Sequence, residues 1–379
     1  MIAREIAQRK LGTVVVMEKE PVFGLHASGR NSGVLHSGIY YPSDSLKAKF
    51  CIAGNQFWTS FCEKKQLPIL KTGKVVVARS ESEIETLNTL YERGESNGAI
   101  LQRVGESQLE TVEPLAKTTR EALVVSSTSV VDPKRVVAAV VAELDSDPLV
   151  SMRSSCQFLG VESEACIRTS QGNVAFSTFI NAAGAFADQV AHSFDVGRQF
   201  RLIPFKGVYR KVVKSIGMQV NGSIYPVPDI RNPFLGVHFT RSVSGDVYLG
   251  PTAMPAFGRE AYGGVRLTLE SLQLMIQDAV LFMSNEKFRS VALTEPKKYV
   301  PYWFYQDAKR LVKHLAYSDV LPSPKVGIRP QLVDWETKEL VMDFKVLRSQ
   351  KHIHVLNAIS PAFTCAVGVS KHVVDMVVE

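Results

Sequence analysis

The sequence predicts an α/β protein, with a discontinuous Rossmann-like nucleotide-binding domain and an inserted α+β domain built on a mostly antiparallel sheet. Strand–turn–helix patterns typical of a parallel sheet occur near both ends of the 379-residue chain. Between them, residues 201–262 form short β-rich segments punctuated by Pro and Gly. We therefore expect a nucleotide-binding domain from residues 1–70, 130–200 and 322–379, and an inserted substrate domain from residues 71–129 and 201–321.

The first twenty residues have the pattern of the middle of a βαβ unit. A helical stretch over residues 1–10 leads into the apolar strand 14–17, which ends at Glu18. A carboxylate at this place accepts hydrogen bonds from the ribose of a bound dinucleotide, and the alternative is a solvated strand end. The strand and GxGxxG loop that normally open such a unit do not precede this helix in the sequence.

The remaining elements follow from hydrophobic spacing and from start and stop residues. In chain order, we expect a helix begun by Ser43 or Asp44 and continuing to Phe61, a strand at 73–80, a helix at 81–98, a strand at 123–133 that leads into a helix opened by Asp132-Pro133, short strands over 149–180, mostly helix over 268–317, and a strand–turn–helix at the C-terminus.

Composition excludes several classes of protein. The net charge of +7 is scattered rather than clustered with aromatic residues, which argues against nucleic acid and favours a small anionic ligand. No apolar run approaches the roughly 18–20 residues that span a membrane. Five cysteines without a CxxC motif argue against a disulfide framework or a zinc site. We interpret His352 and His354 as a pair on a half-exposed strand, with a metal site as the alternative, and no metal is predicted.

Three turns share one pattern, in which an apolar strand delivers small residues to the start of a helix. They lie at residues 28–33, 181–184 and 360–362. Such a turn lets backbone N–H groups approach a ligand, and the helix N-terminus favours negative charge. A single turn of this kind is most often a packing device. Three of them following a strand that ends in Glu18 predict a nucleotide site.

Several segments resemble one family. The stretch ASGRNSGVLHSGIYYPSDSLKAKFCIAGN (27–55) resembles the flavin-contact region of the FAD-dependent L-2-hydroxyglutarate dehydrogenases, within the D-amino-acid-oxidase-like flavoenzymes. Four more segments are similar to that family in its order: YPVPDIRNPFLGVHFT (225–240), VYLGPTAMPAFGREAY (247–262), KVGIRPQLVD (325–334) and HVLNAISPAFTCAVGVS (354–370). The resemblance covers essentially the whole chain.

The resemblance implies FAD as the cofactor. By similarity, Glu18 holds the ribose of the AMP half. The residues implied to line the pyrophosphate and flavin are Ser28, Arg30, Asn31 and Ser32 in the first turn, Ala183 and Gly184 in the second, and Ser360, Pro361, Ala362 and Thr364 in the third. A helix N-terminus under the flavin pyrimidine edge would stabilise the negative charge that develops on reduction.

The implied reaction is oxidation of L-2-hydroxyglutarate, a small dicarboxylate 2-hydroxy acid, to 2-oxoglutarate by hydride transfer to FAD. His36 and His238 are candidates for the base that takes the hydroxyl proton, and either one can instead orient its neighbours. The candidate substrate-binding residues are the cations Lys206, Arg241 and Arg329 and the tyrosines Tyr40 and Tyr225.

The sequence departs from the family at its beginning, because the first strand and the GxGxxG loop are missing. We expect a fragment or a truncated gene model with impaired FAD binding, and the alternative is a cofactor-less descendant without enzymatic activity. The rival enzymatic function is that of an amine or amino-acid oxidase of the same fold.

The resemblance also bears on partners and location. It implies a quinone pool or an electron-transfer protein as electron acceptor, with oxygen left open, and peripheral contact with a membrane. The expected location is mitochondrial for a eukaryotic source and otherwise cytoplasmic or peripheral to the inner membrane.

Overall fold

The computed structural model describes residues 1–230, 234–264 and 267–379, so residues 231–233 of the motif at 225–240 lie outside the described residues. The helices are α1 (Ile2–Gln8), α2 (Ala27–Arg30), α3 (Leu46–Lys64), α4 (Ile84–Ser96), α5 (Glu106–Val112), α6 (Pro133–Asp145), α7 (Ala187–His192), α8 (Lys214–Gly217), α9 (Leu269–Ser284), α10 (Glu286–Thr294), α11 (Pro301–Lys309) and α12 (Ala362–Val378). Short 3₁₀ turns lie at Glu81–Glu83, Gly184–Phe186, Pro296–Tyr299 and Tyr317–Asp319.

The strands are β1 (Val14–Met17), β2 (Val34–Leu35), β3 (Ile69–Leu70), β4 (Lys74–Val77), β5 (Leu101–Gly105), β6 (Glu121–Val125), β7 (Ser129–Val131), β8 (Val150–Arg153), β9 (Phe158–Ser163), β10 (Cys166–Thr169), β11 (Gly172–Ala175), β12 (Phe179–Asn181), β13 (Phe200–Val212), β14 (Ser223–Pro226), β15 (His238–Arg241), β16 (Val247–Gly250), β17 (Met254–Pro255), β18 (Val320–Asp334), β19 (Val346–Ser349) and β20 (His352–Val355).

Parallel strands from both ends of the chain form the nucleotide-binding part. Strand β1 pairs in parallel with β8, and β12 pairs in parallel with β20, which also pairs with β19. Helix α1 packs on both groups, because Ala3 joins the apolar cluster of Val14 and Val16 while Ile2 joins that of Ile353. Ligands of α/β sheets bind beyond the carboxyl ends of such strands, which here are followed by the predicted turns.

A large sheet dominates the inserted part. Its strand order is β17-β13-β16-β15-β14-β4-β6-β5, with β18 also paired to β13. The pairs are antiparallel except β14 with β4. The long strands β13 and β18 run together from Phe200 opposite Asp334 to Val212 opposite Val320. One face of this sheet covers an apolar core that includes Phe239, Leu249 and Phe304.

The predicted fold class is confirmed by this architecture, and several element boundaries differ from the sequence pattern. Ser45, rather than Ser43 or Asp44, caps α3, because its Oγ accepts the N–H of Ala48 at 3.2 Å. The predicted strand at 123–133 is two strands, β6 and β7. Asp132 caps α6 as expected, accepting the N–H of Lys134 at 2.9 Å. The domain boundaries stay a prediction.

The expectation of a half-exposed strand for the histidine pair is wrong. Both His352 and His354 are buried on β20, between β12 and β19. His354 Nδ1 lies 3.1 Å from the side-chain nitrogen of Asn181, and both rings pack on Phe194. A strand covered on both sides places its side chains in the interior. Within the described ranges, no helix is long and apolar enough to cross a membrane.

Candidate active site

His36 lies directly after β2 and is held in place by backbone contacts. Its N–H donates to Thr364 Oγ1 at 3.1 Å, in the first turn of α12. Its carbonyl accepts from the Asn55 side chain at 3.2 Å on α3. The ring is buried, and Nδ1 has no hydrogen-bond partner among the described residues. The main chain therefore fixes the imidazole while leaving a ring nitrogen available to a ligand.

His238 is the first residue of β15 and lies against the neighbouring strand. Its ring stacks on Tyr225 with centroids 3.9 Å apart and an angle of 17° between the planes. Nδ1 lies 2.9 Å from the carbonyl oxygen of Gly236. Because a carbonyl only accepts, this bond assigns the proton to Nδ1 and leaves Nε2 as a proton acceptor in the neutral ring.

The charges of Lys74 and Arg329 lower the pKa of both histidines. Burial is the main cause that lowers the pKa of His36 well below its usual range, and Lys74, His238 and Arg329 add to it by charge repulsion. Burial likewise lowers the pKa of His238 to about 3, with Arg329 and Lys74 contributing. Both imidazoles are consequently neutral near pH 7 and able to accept a proton.

Buried tyrosines complete this cluster. Burial raises the pKa of Tyr40, of Tyr225 and of Tyr209, so all three phenols carry their protons. Tyr225 shares a hydrogen bond with Thr240, and Tyr209 shares one with Arg329. These hydroxyls place donors beside the histidines, and the Tyr209 contact orients the guanidinium.

Five of the predicted residues thus come together from distant parts of the chain: His36, Tyr40, Tyr225, His238 and Arg329. Sequence reasoning missed Lys74, Tyr209 and Thr240, which belong to the same cluster. Lys74 left one signal, which is a charged residue opening the otherwise apolar strand KVVV. We found no comparable signal for the other two, because their neighbours come from strands far away in sequence.

The structure does not bring two of the predicted cations into the cluster. Along β15, His238 and Thr240 point to one face of the sheet and Arg241 points to the other. There, Arg241 Nη1 donates to the carbonyl of Val220 at 2.7 Å. Lys206 lies opposite Ile328, one position along from Arg329, and its Nζ donates to the carbonyl of Gly263. Strand alternation places both cations on the wrong face for a shared ligand.

The residue after β1 has chemistry that fits the ribose of FAD. The Glu18 side chain is half-buried, and its Oε1 accepts the N–H of Glu20 at 3.0 Å. A carboxylate has more acceptor sites than this one bond uses, so it can also accept from two ribose hydroxyls. The position at the carboxyl end of a parallel strand is the one that nucleotide-binding folds use.

The two later turns also fit FAD. After β12, Ala182, Ala183 and Gly184 are exposed, and Gly184 adopts φ 57°, a conformation that favours glycine. Helix α12, with 17 residues, begins after Ser360-Pro361, and no side chain of the described residues caps it. The N–H of Ala362 donates to the carbonyl of Ile359 at 3.0 Å, so an anion would be held by the N–H groups that follow and by the helix dipole. These residues would hold the cofactor, and the helix would stabilise negative charge on it.

The first turn is more enclosed than the sequence pattern predicts. The Asn31 side chain bonds within the turn, to the carbonyl of Ser28 at 2.7 Å and to the N–H of Gly33 at 2.8 Å. The Arg30 guanidinium lies 4.1 Å from the ring centroid of Tyr262. Ser32 Oγ accepts from the backbone at 3.4 Å, whereas Ser28 is exposed. Asn31 and Arg30 therefore shape the loop, and Ser28 is left open to a ligand.

The main chain of the buried His36 is bonded to the first turn of α12, and turns that fit FAD follow the parallel strands, which together fit a flavin-dependent oxidoreductase. The family model "DAO: FAD dependent oxidoreductase" matches residues 1–376. The chain is 36% identical over 371 residues to L-2-hydroxyglutarate dehydrogenase of Indibacter alkaliphilus, covering 94% of this chain and 90% of that one. It is 33% identical to the mitochondrial L-2-hydroxyglutarate dehydrogenase of Nematostella vectensis, covering 100% and 87%. The chain belongs to the DAO family of FAD-dependent oxidoreductases, in the branch that contains these dehydrogenases.

A solved structure shows the same fold. The dithionite-reduced L-alpha-glycerophosphate oxidase of Mycoplasma pneumoniae, with FAD bound, superimposes with a TM-score of 0.76 at 22% identity, over 98% of this chain and 90% of that one. At this identity the likeness concerns the fold alone. The family match confirms the prediction of FAD as the cofactor.

Proposed function

We propose that the protein oxidises L-2-hydroxyglutarate to 2-oxoglutarate. The observation that carries this proposal is the buried pair of neutral histidines with Lys74 and Arg329 acting on both. Oxidation of a 2-hydroxy acid requires a base for the hydroxyl proton and cations for carboxylates, and this cluster supplies both. The names of the relatives at 33–36% identity support the particular substrate.

His36 is the proton acceptor in this proposal. Its Nδ1 is buried without a hydrogen-bond partner among the described residues, and its main chain is bonded to the first turn of α12, where we propose that cofactor-binding residues lie. FAD, when bound, supplies the acceptor for the hydride that leaves C2. His36 takes the hydroxyl proton as that hydride leaves, so the alcohol loses two electrons and two hydrogens and becomes the ketone.

Arg329 and His238 position the substrate. The planar guanidinium of Arg329, held by Tyr209, suits the carboxylate next to C2, because a bidentate contact fixes orientation as well as distance. His238 presents Nε2 as an acceptor from the strand that neighbours Tyr225. A hydroxyl held between two imidazoles has its proton directed at a ring nitrogen before the reaction begins.

The electrons then leave to a second partner. We infer that a quinone pool or an electron-transfer protein accepts them, reached by peripheral contact with a membrane, since the relatives are named dehydrogenases rather than oxidases. The location follows the source of the protein: mitochondrial in a eukaryote, as for the Nematostella relative, and otherwise cytoplasmic or peripheral to the inner membrane.

The variant His36→Gln tests the role of the base. Loss of a general base lowers turnover by about 100-fold or more. We expect this loss in the rate at which L-2-hydroxyglutarate bleaches the flavin absorbance of the FAD-loaded protein, with the yellow spectrum before substrate unchanged. His314→Gln is the matched control, because His314 is exposed and lies outside the cluster.

Two outcomes would contradict the proposal. Bleaching of the wild-type flavin by glycine or sarcosine, with none by L-2-hydroxyglutarate, would assign the protein to C–N oxidation. A His36→Gln variant that turns over at the wild-type rate would remove this histidine from the mechanism and leave His238 as the candidate base.

A further inference from the structure

Lys74, the first residue of β4, carries an amine that the described chain leaves unpaired. The residue is 2% exposed, and its Nζ has no hydrogen-bond partner among the described residues. The amine lies 4.3 Å from the ring centroid of Tyr40 and 5.3 Å from that of Tyr225. An ammonium without a hydrogen-bond partner in the interior costs several kcal/mol, so the group either loses its proton or is completed by a ligand.

The groups that face this amine include no carboxylate among the described residues. They are the imidazoles of His36 and His238, the phenols of Tyr40 and Tyr225 and the thiol of Cys51. Burial lowers the pKa of Lys74 to about 7, and the contribution of Cys51 only partly opposes it. An anionic ligand is the component that would restore a fully charged ammonium here.

The two cations of the cluster belong to different strands. Lys74 opens β4, whereas Arg329 lies on β18, and both act on His36 and His238. L-2-hydroxyglutarate has a carboxylate at each end, with the reacting C2 next to one of them. The guanidinium fork suits the carboxylate beside C2, which must be oriented, and the flexible ammonium suits the distal carboxylate, which needs only charge.

We propose that Lys74 binds the distal carboxylate of the substrate and thereby determines the preference for dicarboxylates. This inference rests on the proposed function. Lys74 is then a substrate-binding residue whose contribution depends on the second carboxylate. A residue that merely supported the fold would affect dicarboxylate and monocarboxylate substrates alike.

The test compares two substrates in the FAD-loaded protein. Lys74→Met keeps an unbranched side chain, one heavy atom shorter, and removes the charge. We expect the KM for L-2-hydroxyglutarate to rise about 10- to 100-fold, because the substrate loses a hydrogen bond to a charged group and such a bond contributes a factor of this size to binding. The KM for L-2-hydroxybutyrate, which lacks the distal carboxylate, should stay within about 3-fold. Lys71→Met is the matched control, because Lys71 is exposed near the same strand and pairs with Glu63.

Calorimetry with non-reacting ligands gives a second readout. Glutarate binding should raise the pKa of Lys74, so the wild-type protein takes up a proton at pH 8, seen as a binding enthalpy that depends on the buffer. Lys74→Arg should still bind glutarate but take up no proton, because arginine is always charged. Butyrate binding should be the same in wild type and in both variants.

The following outcomes would overturn the proposal for Lys74 or the proposed function. Equal loss of glutarate and butyrate binding in Lys74→Met, or equal binding of glutarate by this variant and wild type, overturns the proposal. If Lys74→Met does not fold, proton uptake by Lys74→Arg that equals wild type overturns it instead. Failure of wild type to oxidise L-2-hydroxyglutarate rejects the proposed function, and glutarate calorimetry then decides on Lys74 independently.

Discussion

At the scale of the residue, burial sets the charge of each group in the cluster. His36 and His238 lose their charged forms because the interior disfavours them, and the tyrosines retain their protons for the same reason. Lys74 is the group whose charged and neutral forms are about equally populated near pH 7. The site therefore combines neutral proton acceptors with positive charge, which a solvated set of the same side chains would not provide.

The buried histidines have a consequence for stability. The pKa of His238 falls from an ordinary 6.5 to about 3 on folding, so below pH 6.5 the unfolded chain binds a proton that the folded protein excludes. Stability must then decrease as the pH falls, by about 1.4 kcal/mol per pH unit for this group. When the pH is lowered from 6.5 to 5, the free energy of unfolding measured with urea should decrease by about 2 kcal/mol less for His238→Gln than for wild type.

The control for this measurement is His314→Gln, since His314 is exposed and should leave the pH dependence of wild type unchanged. Parallel stability curves for wild type and His238→Gln over this pH range would mean that His238 takes up a proton as readily in the folded protein as in the unfolded chain, so that burial does not lower its pKa. The imidazole would then be largely charged below pH 6.5 and could act as a proton acceptor beside Lys74 and Arg329 only at higher pH.

At the scale of the element, the packing of α3 on α12 positions the base. A side-chain carbon on Gly54 of α3 would lie 2.0 Å from the carbonyl oxygen of Thr364 in the first turn of α12. The same turn holds the N–H of His36 through Thr364 Oγ1. The close approach of two helix backbones thus determines where the imidazole lies.

The variant Gly54→Ala tests this contact. The added methyl group meets backbone, which cannot rotate away, so the helices must separate at a cost of about 1–3 kcal/mol. We expect a lower urea midpoint and a slower flavin bleaching rate, because Thr364 moves with α12. Gly105→Ala is the control, since a methyl group there would meet no atom of the described residues within 4 Å, and it should change the free energy of unfolding by less than about 1 kcal/mol. A wild-type midpoint for Gly54→Ala would show that α3 does not constrain α12.

Elements with a local signal could be predicted from the sequence, and those set by distant partners could not. Asp132-Pro133 predicts the start of α6, because Asp132 caps the helix itself, and the small residues before α12 predict the turn there. Lys74 has no such signal, because its significance comes from Tyr225, some 150 positions away, on the strand paired with β4. The positions of Lys206 and Arg241 outside the cluster could not be predicted for the same reason, since strand register decides which face of the sheet each side chain takes.

At the scale of the whole molecule, a buried ion pair joins the two predicted domains. Asp188 on α7 belongs to the predicted nucleotide-binding part, and Arg259 to the inserted part. Their side chains form a bidentate pair, with Nη1–Oδ1 at 2.6 Å and Nη2–Oδ2 at 2.9 Å. Asp188 also accepts the N–H of Leu202 at 2.9 Å, at the start of β13. The pair therefore fixes the segment around Arg259, which also packs near Lys19 and Glu20 beside Glu18.

Removal of one partner should destabilise the molecule strongly. Arg259→Met leaves the Asp188 carboxylate buried without its cation, at a cost of about 3–5 kcal/mol in the free energy of unfolding. The comparison is Arg198→Gln, which breaks an exposed pair with Asp195 and should cost about 1 kcal/mol or less. The loss of stability comes from the Asp188 carboxylate, which stays buried without a cation. The double variant Asp188→Leu with Arg259→Met should therefore be more stable than Arg259→Met by itself. Urea unfolding of the four proteins measures these differences, and equal midpoints for Arg259→Met and Arg198→Gln would show that water reaches Asp188 and that the two parts are joined by other contacts.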